Sequence, residues 1–245
     1  MAFFGIAMSA SFNLLTAEIP VPPGLNEVNY LTFMSAGVIA MTTLFTSLYG
    51  GITLLFDKNW GLLREVFASP LRRADIIIGI GLSVVVKSVL QALIILGFGM
   101  LLGVQYFPGY SLSGVAVAMA GIILFVTVFA LGFVFLSSAI SISMESPEGL
   151  QGIITLLTMP IFFASNALYP IEAFPDVLKA ISAYNPLTFL VNGIRYFAIG
   201  DSFFALGKTY TYGASEVITS LAGLVVFTAL MFVIALWRFR RAVVT

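Results

Sequence analysis

The sequence predicts an all-α polytopic membrane protein with six transmembrane helices, and three observations carry that expectation. Hydrophobic residues make up 60% of the 245 positions and charged residues only 9%, against roughly 25% charged in an ordinary soluble domain. The apolar residues fall in separate runs, most of them longer than the roughly 20 residues that cross a bilayer as a helix, so the excess is organised as spans and not as one core. Lys and Arg concentrate in one short loop and in the tail, a pattern that fixes orientation in a membrane.

In chain order, residues 1–17 form an apolar opening that reaches only about 25 Å as a helix, slightly less than the hydrocarbon core. A short or truncated first span is therefore expected there. No basic residue lies near Met1, so the opening does not read as a cleaved secretory leader. The clearest span covers residues 30–56, with Pro22 and Pro23 before it and Asp57 and Lys58 after it. The next covers 76–104 and stops at the turn-like Phe107-Pro108-Gly109-Tyr110. Three more follow at 115–142, 150–168 and 217–237. Gly97, Gly99 and Gly103 include a G-x-x-x-G that permits close helix packing. Pro160 is expected to kink the fifth span and free carbonyls for a neighbouring helix or a cavity.

Orientation follows from the basic residues. The loop after residue 56 holds Lys58, Arg64, Arg72 and Arg73, and the tail holds Arg238, Arg240 and Arg241, so both are expected on the cytoplasmic side of the plasma membrane. Alternation then places 17–29, 105–114 and 169–216 outside and 143–149 inside, with both termini cytoplasmic. The long outer segment carries structure of its own. Residues 174–184 read as a short amphipathic helix from the spacing of Val177, Leu178 and Ile181. Asn185-Pro186 opens a second piece, 187–199, too short to cross, so an interfacial or re-entrant helix is expected with Arg195 reaching headgroups or water. With no internal repeat and no low-complexity linker, residues 1–245 read as one membrane domain.

Composition removes most chemistry. There is no Cys and no His, which excludes disulfides, thiolate or imidazole metal sites and the catalytic dyads that need either residue. Eleven basic residues balance eleven acidic ones, leaving no surplus for a nucleic-acid backbone. Neither G-x-x-x-x-G-K-[ST] nor G-x-G-x-x-G after a strand occurs, so any dependence on ATP must come from a partner. Glu145 and Glu148 lie in the short inner loop and read as a solvated pair starting a helix. No catalytic residue is assigned.

The loop from Asp57 to Arg73 is the most informative stretch. From Trp60 to Ala68 helical spacing puts Trp60, Leu63 and Phe67 on one face and turns Arg64 and Glu65 away, with Ser69-Pro70 as the stop. Such a helix either rests at the lipid interface or seats in a groove of a cytoplasmic partner. Lys87 is the only charge well inside a span, with Gln91 one turn further on the same face. Intramembrane ionisable groups mark function by default. Division of the segment at Gly79 and Gly81 would leave Lys87 about 8 Å deep and able to snorkel. Phe125, Phe129, Phe133 and Phe135 would suit an apolar substrate path but read first as packing or lipid-facing residues.

Two runs carry a family resemblance: Asn59-Trp60-Gly61 through Glu65, Ser69-Pro70 and Arg72-Arg73, and Tyr184-Asn185-Pro186-Leu187 through Arg195-Tyr196. With the order of spans, they make the chain resemble the type-2 permeases of ATP-binding-cassette (ABC) exporters, a group with daunorubicin-resistance-like and polysaccharide-export membrane subunits. The resemblance implies two permeases, each bound to an ATPase subunit that carries ATP and Mg, with no cofactor in this chain and a substrate path at the permease interface. It implies that Trp60, Leu63, Arg64, Glu65 and Phe67 belong to a coupling helix seated in the ATPase, with Glu145 and Glu148 in a lesser contact. It further implies that the outer pieces, with Asn185, Pro186 and Arg195, line or close the exit. The chain departs from the family at its start, where a cytoplasmic amphipathic helix and a full first span are usual. The expected function is export of a drug, lipid or glycan. Two other readings stand beside it: a gradient-driven transporter binding an ion or anion at Lys87 and Gln91, and an assembly factor without transport.

Overall fold

The computed structural model describes residues 21–169, 171 and 174–241; the expected first span lies outside them. Within them the chain forms helices α1 (Tyr30–Asn59), α2 (Leu62–Ala68), α3 (Arg73–Leu101), α4 (Leu112–Ser141), α5 (Pro147–Phe163), α6 (Asp176–Ala183), α7 (Pro186–Ala198) and α8 (Ala214–Arg241). Strand β1 (Asn26–Glu27) pairs parallel with β2 (Ser202–Ala205), and β2 pairs antiparallel with β3 (Lys208–Thr211). This small sheet is the one departure from the all-α expectation. Its hairpin turns at Leu206 and Gly207, both with positive φ, the backbone that a two-residue turn between twisted strands requires.

Sequence chemistry sets the helix starts. The Asn29 side chain accepts from the Thr32 amide at 2.8 Å to cap α1, Ser111 caps α4, and Ser146 caps α5 with Pro147 in its first turn. Each satisfies a backbone donor that the helix cannot.

Four helices, α1, α3, α4 and α8, are long and apolar enough to cross a membrane. The fifth expected span is α5, which at 17 residues reaches only about 25 Å. Six crossing helices are thus not what the described residues contain. The connections nevertheless alternate between two ends. One end gathers α2, the loop after α4 and the end of α8: the Lys58 ammonium bonds the carbonyls of Ile142 and Met144, and Arg238 bonds Ser143. The other gathers the sheet, residues 102–111 and α7, joined by bonds such as Phe107 N–H to Ala198 O at 2.7 Å and Gln105 N–H to the Thr32 hydroxyl at 3.1 Å.

α4 sits centrally, packed on α1, α3, α7 and α8. Phe125, Phe129, Phe133 and Phe135 are all buried and tilt against one another and against Phe197, Phe227 and Phe232, so they are core and not path. α1 and α4 approach closely at Gly51, where a Cβ would collide with the Ser137 hydroxyl. The Ser137 hydroxyl donates to Leu48 O and that of Ser141 to Gly51 O at 2.6 Å. Between helices in lipid, such small contacts and hydroxyl-carbonyl bonds do what hydrophobic burial cannot. The expected G-x-x-x-G does not serve this purpose: Gly97 and Gly103 face open space and Gly99 packs on Tyr106. Leu82, Val86, Leu90 and Phe98 of α3 and Val226, Leu230 and Val233 of α8 are exposed, forming the apolar shell of a chain built for lipid.

Candidate functional site

At the α2 end, the expected helix from Trp60 begins later. Trp60 ends α1, stacks on Phe56 with ring centroids 5.4 Å apart, and is 72% exposed. Gly61 follows with φ +83 and opens α2, a conformation that only glycine adopts cheaply. The predicted common face of Trp60, Leu63 and Phe67 is therefore divided. Leu63 is buried with Leu54, Ile77 and Ile142. Phe67 lies under the Arg73 guanidinium at 3.5 Å and edge-on to Phe239. These two hold α2 to its own domain, because a short amphipathic helix stays folded only where its apolar stripe is covered. What faces outward is Trp60, Leu62, Arg64, Glu65 and Val66.

The second loop stands beside this surface. The Asn59 side chain donates to Glu145 O at 3.3 Å, and the two carbonyls that Lys58 binds cap the end of α4. Glu145 and Glu148 are exposed, and Glu148 lies in the first turn of α5, the favourable place for an acid. Two segments far apart in sequence thus make one exposed surface of aromatic, aliphatic and charged groups.

At the sheet end, Asn185, Pro186 and Arg195 belong together structurally. Asn185 caps α7 through Leu187 N–H at 2.9 Å and donates to the carbonyls of Ile161 and Ala164 at 2.7 and 3.1 Å. Pro186 occupies the first helical position. The carbonyls used are those at the end of α5; α5 itself runs on through Pro160 to Phe163. Arg195 contradicts the expectation that it reaches headgroups or water, for it is only 1% exposed. Its guanidinium donates to Tyr212 Oη at 3.2 Å and to Asn166 O at 2.9 Å, and it stacks on the Phe33 ring at 3.8 Å. α7 buries residues around most of its circumference among α1, α4 and α8, so the side chain points into protein and not into solvent. α6 behaves differently: Val177, Leu178 and Ile181 leave its apolar face open.

A cavity of about 630 Å³ lies beside α7, with Tyr110, Tyr196 and Asp201 among its walls. Burial, with the Asp201 and Tyr196 charges adding to it, raises the Tyr110 hydroxyl above its ordinary range, so it remains a neutral donor.

Lys87 and Gln91 sit elsewhere again. α3 runs unbroken from Arg73, so Gly79 and Gly81 do not divide it, and Lys87 lies about 21 Å along the axis from its start. Gln91 Oε1 accepts from the Thr46 hydroxyl and ties α3 to α1. Lys87 is exposed and lines a recess of about 290 Å³ between these helices with Thr46, Tyr49, Thr53 and Ser83. No sequence signal marked that recess, since its walls come from two helices.

The comparisons with known proteins agree with this architecture. Residues 5–237 match the family model described as ABC-2 family transporter protein. A putative transport permease, ycf38, of Cyanophora paradoxa is 31% identical over 188 residues, covering 76% of this chain and 62% of that protein. A probable doxorubicin resistance ABC transporter permease protein, DrrC, of Mycobacterium tuberculosis is 25% identical over 197 residues, 80% of this chain and 67% of the relative. The daunorubicin resistance ABC transporter permease protein DrrB1 of Streptomyces coeruleorubidus is 26% identical over 175 residues, 71% and 60%. The chain spans about 62% of the length of the ycf38 relatives it matches. A match over nearly the whole chain, on a bundle with four apolar helices long enough to cross a membrane, settles the family: the chain belongs to the ABC-2 transporter permeases.

Proposed function

We propose that the chain is the membrane subunit of an ABC exporter, driven by an ATPase on a separate polypeptide that binds ATP and Mg, with two permease copies forming the path. The observation that carries this reading is the outward surface of α2: Trp60, Leu62, Arg64, Glu65 and Val66 stand exposed beside Glu145 and Glu148, on a chain with no phosphate-binding loop. Exposed aromatic and aliphatic anchors ringed by charges are what a protein partner takes up. Leu63 and Phe67 serve it indirectly, by fixing α2 to α1, α3 and α8 so that a push on α2 moves the bundle. Closure of the ATPase pair displaces α2, the two permeases rock at their contact, and access changes from the α2 side, read as cytoplasmic, to the sheet side. α6 and α7 then border the exit, with Arg195 and Asn185 holding them in place.

The test is purification of the tagged chain from its native membrane with its bound proteins identified, for wild type and for Leu62→Asp combined with Val66→Asp. An ATPase should accompany the wild type and be lost from the variant at unchanged thermal stability. An ATPase retained by the variant would remove α2 from the contact. No ATPase with either chain would favour the gradient-driven reading, in which Lys87→Ala abolishes transport irrespective of ATP.

A further inference from the structure

The crevice between α1 and α3 is lined in two unlike halves. Toward the α2 end it is a mixed recess, in which Tyr49, Thr53, Ser83 and Lys87 stand among Phe45, Ile80 and Val84. Toward the sheet end lies a second cleft of about 320 Å³ with almost wholly apolar walls, among them Met34, Val38, Ile94 and Phe98. The two linings share no residue but follow one another along the same face of each helix, at 34, 38 and 42 and then 46, 49 and 53 on α1, and at 83 and 87 and then 94 and 98 on α3. The bond between Thr46 and Gln91 marks the boundary.

Charge decides what such a crevice would hold. Among the described residues no carboxylate forms an ion pair with Lys87 and no acceptor bonds it, although an ammonium so far along an apolar helix is costly unless paired or hydrated. Tyr49 Oη accepts from Gln151 Nε2 at 3.0 Å, which leaves its own proton free to donate. Thr53 supplies a second exposed hydroxyl. Ser83 gives its proton to Ile80 O at 2.8 Å and contributes only an acceptor. The donor set is therefore one cation and two hydroxyls, next along the helices to an apolar cleft. We propose that this α1–α3 face binds an anionic amphiphile, its acidic head on Lys87, Tyr49 and Thr53 and its apolar body along Val38, Ile94 and Phe98. A cationic head would meet Lys87 unfavourably, and a neutral one would leave it unbalanced. That this amphiphile is also the exporter's cargo rests on the export reading above; its binding does not.

The experiment titrates cis-parinaric acid, a fluorescent fatty acid, and its methyl ester into the tagged chain in phosphatidylcholine nanodiscs. Wild type should bind the acid at least tenfold more tightly than the ester. Lys87→Gln should abolish that preference and Lys87→Arg keep it. Tyr49→Phe with Thr53→Val should weaken acid binding severalfold at unchanged ester binding, which guards against a folding defect in the lysine variants. Equal binding of acid and ester by wild type, or an undiminished preference in Lys87→Gln, would overturn the site. With the ATPase partner reconstituted, the acid should stimulate hydrolysis in wild type and not in Lys87→Gln. Binding without stimulation would overturn the cargo assignment, whereas failure to find any ATPase partner would count against the export reading alone.

Discussion

The two ends of the molecule use their polar residues in opposite ways. At the sheet end Arg195, Asn185 and Asn166 are buried and turned toward other parts of the same chain. At the α2 end Trp60, Leu62, Arg64, Glu65, Glu145 and Glu148 are exposed, while Leu63, Phe67 and Lys58 turn inward. The contrast teaches that polarity by itself does not mark function in a membrane protein. A buried cation bonded to its own chain holds a fold together; an exposed cluster of charges and aromatics presents a surface to other molecules. Lys87 belongs with the second kind although it stands midway along an apolar helix.

The sharpest way to break this comparison is at Arg195. Replacement by Leu removes the bonds to Tyr212 and Asn166 and the stacking on Phe33, leaving buried acceptors unsatisfied at a cost of about 3 kcal/mol or more. Lys should rescue little, since an ammonium cannot reproduce a flat, forked group that stacks and donates at once. The readout is the thermal midpoint in detergent and the yield of monodisperse protein. A stable Arg195→Leu chain that had lost only transport would make Arg195 a gate residue and erase the contrast between the ends.

Leu63 comes next. It is 3% exposed in a cluster with Leu54, Ile77 and Ile142, so Leu63→Ala should cost about 2–3 kcal/mol, while Leu62→Ala, one residue away and 47% exposed, should stay within about 0.5 kcal/mol. Denaturation of the two variants side by side checks this. Equal losses would mean that α2 is covered on both faces. Asn185→Ala is smaller, about 1–2 kcal/mol, from a lost helix cap together with two lost bonds to the end of α5. It should be visible as faster proteolysis between α6 and α7.

Much of the fold is legible in the sequence, because span length and apolar composition are imposed by the bilayer and need no knowledge of neighbours. All five apolar runs after residue 29 become helices within a few residues of their expected limits. What escaped was whatever depends on the other side of a contact. Spacing put Leu63 and Phe67 on one face of α2 but could not say that α1, α3 and α8 cover that face. Asn185-Pro186 announced the start of α7, yet the burial of Arg195 depends on Phe33, Asn166 and Tyr212, brought together only by packing. The β2-β3 hairpin is too short for periodicity to find, although Gly207 and the β-branched and aromatic run Lys208–Thr211 carry a weak signal for it. For α2, Gly61 was the overlooked mark: a glycine between two helical runs signals a break, and it divides Trp60 from Leu63.

That glycine supplies the smallest effect and the finest test. Gly61 has φ +83, and a Cβ placed on it would meet nothing within 4 Å, so Gly61→Ala should cost only backbone strain, about 1 kcal/mol. No contact is removed, and the exposed residues of α2 keep their identities. If α2 only docks, the variant should retain its ATPase and its stimulated hydrolysis, with a slightly lower thermal midpoint. If α2 also transmits the push, its angle to α1 matters, and the variant should keep the ATPase bound while substrate-stimulated hydrolysis falls severalfold. The second outcome is the one expected here, because Lys58, Leu63 and Phe67 fix both sides of the joint, so that strain at Gly61 must be relieved by tilting α2.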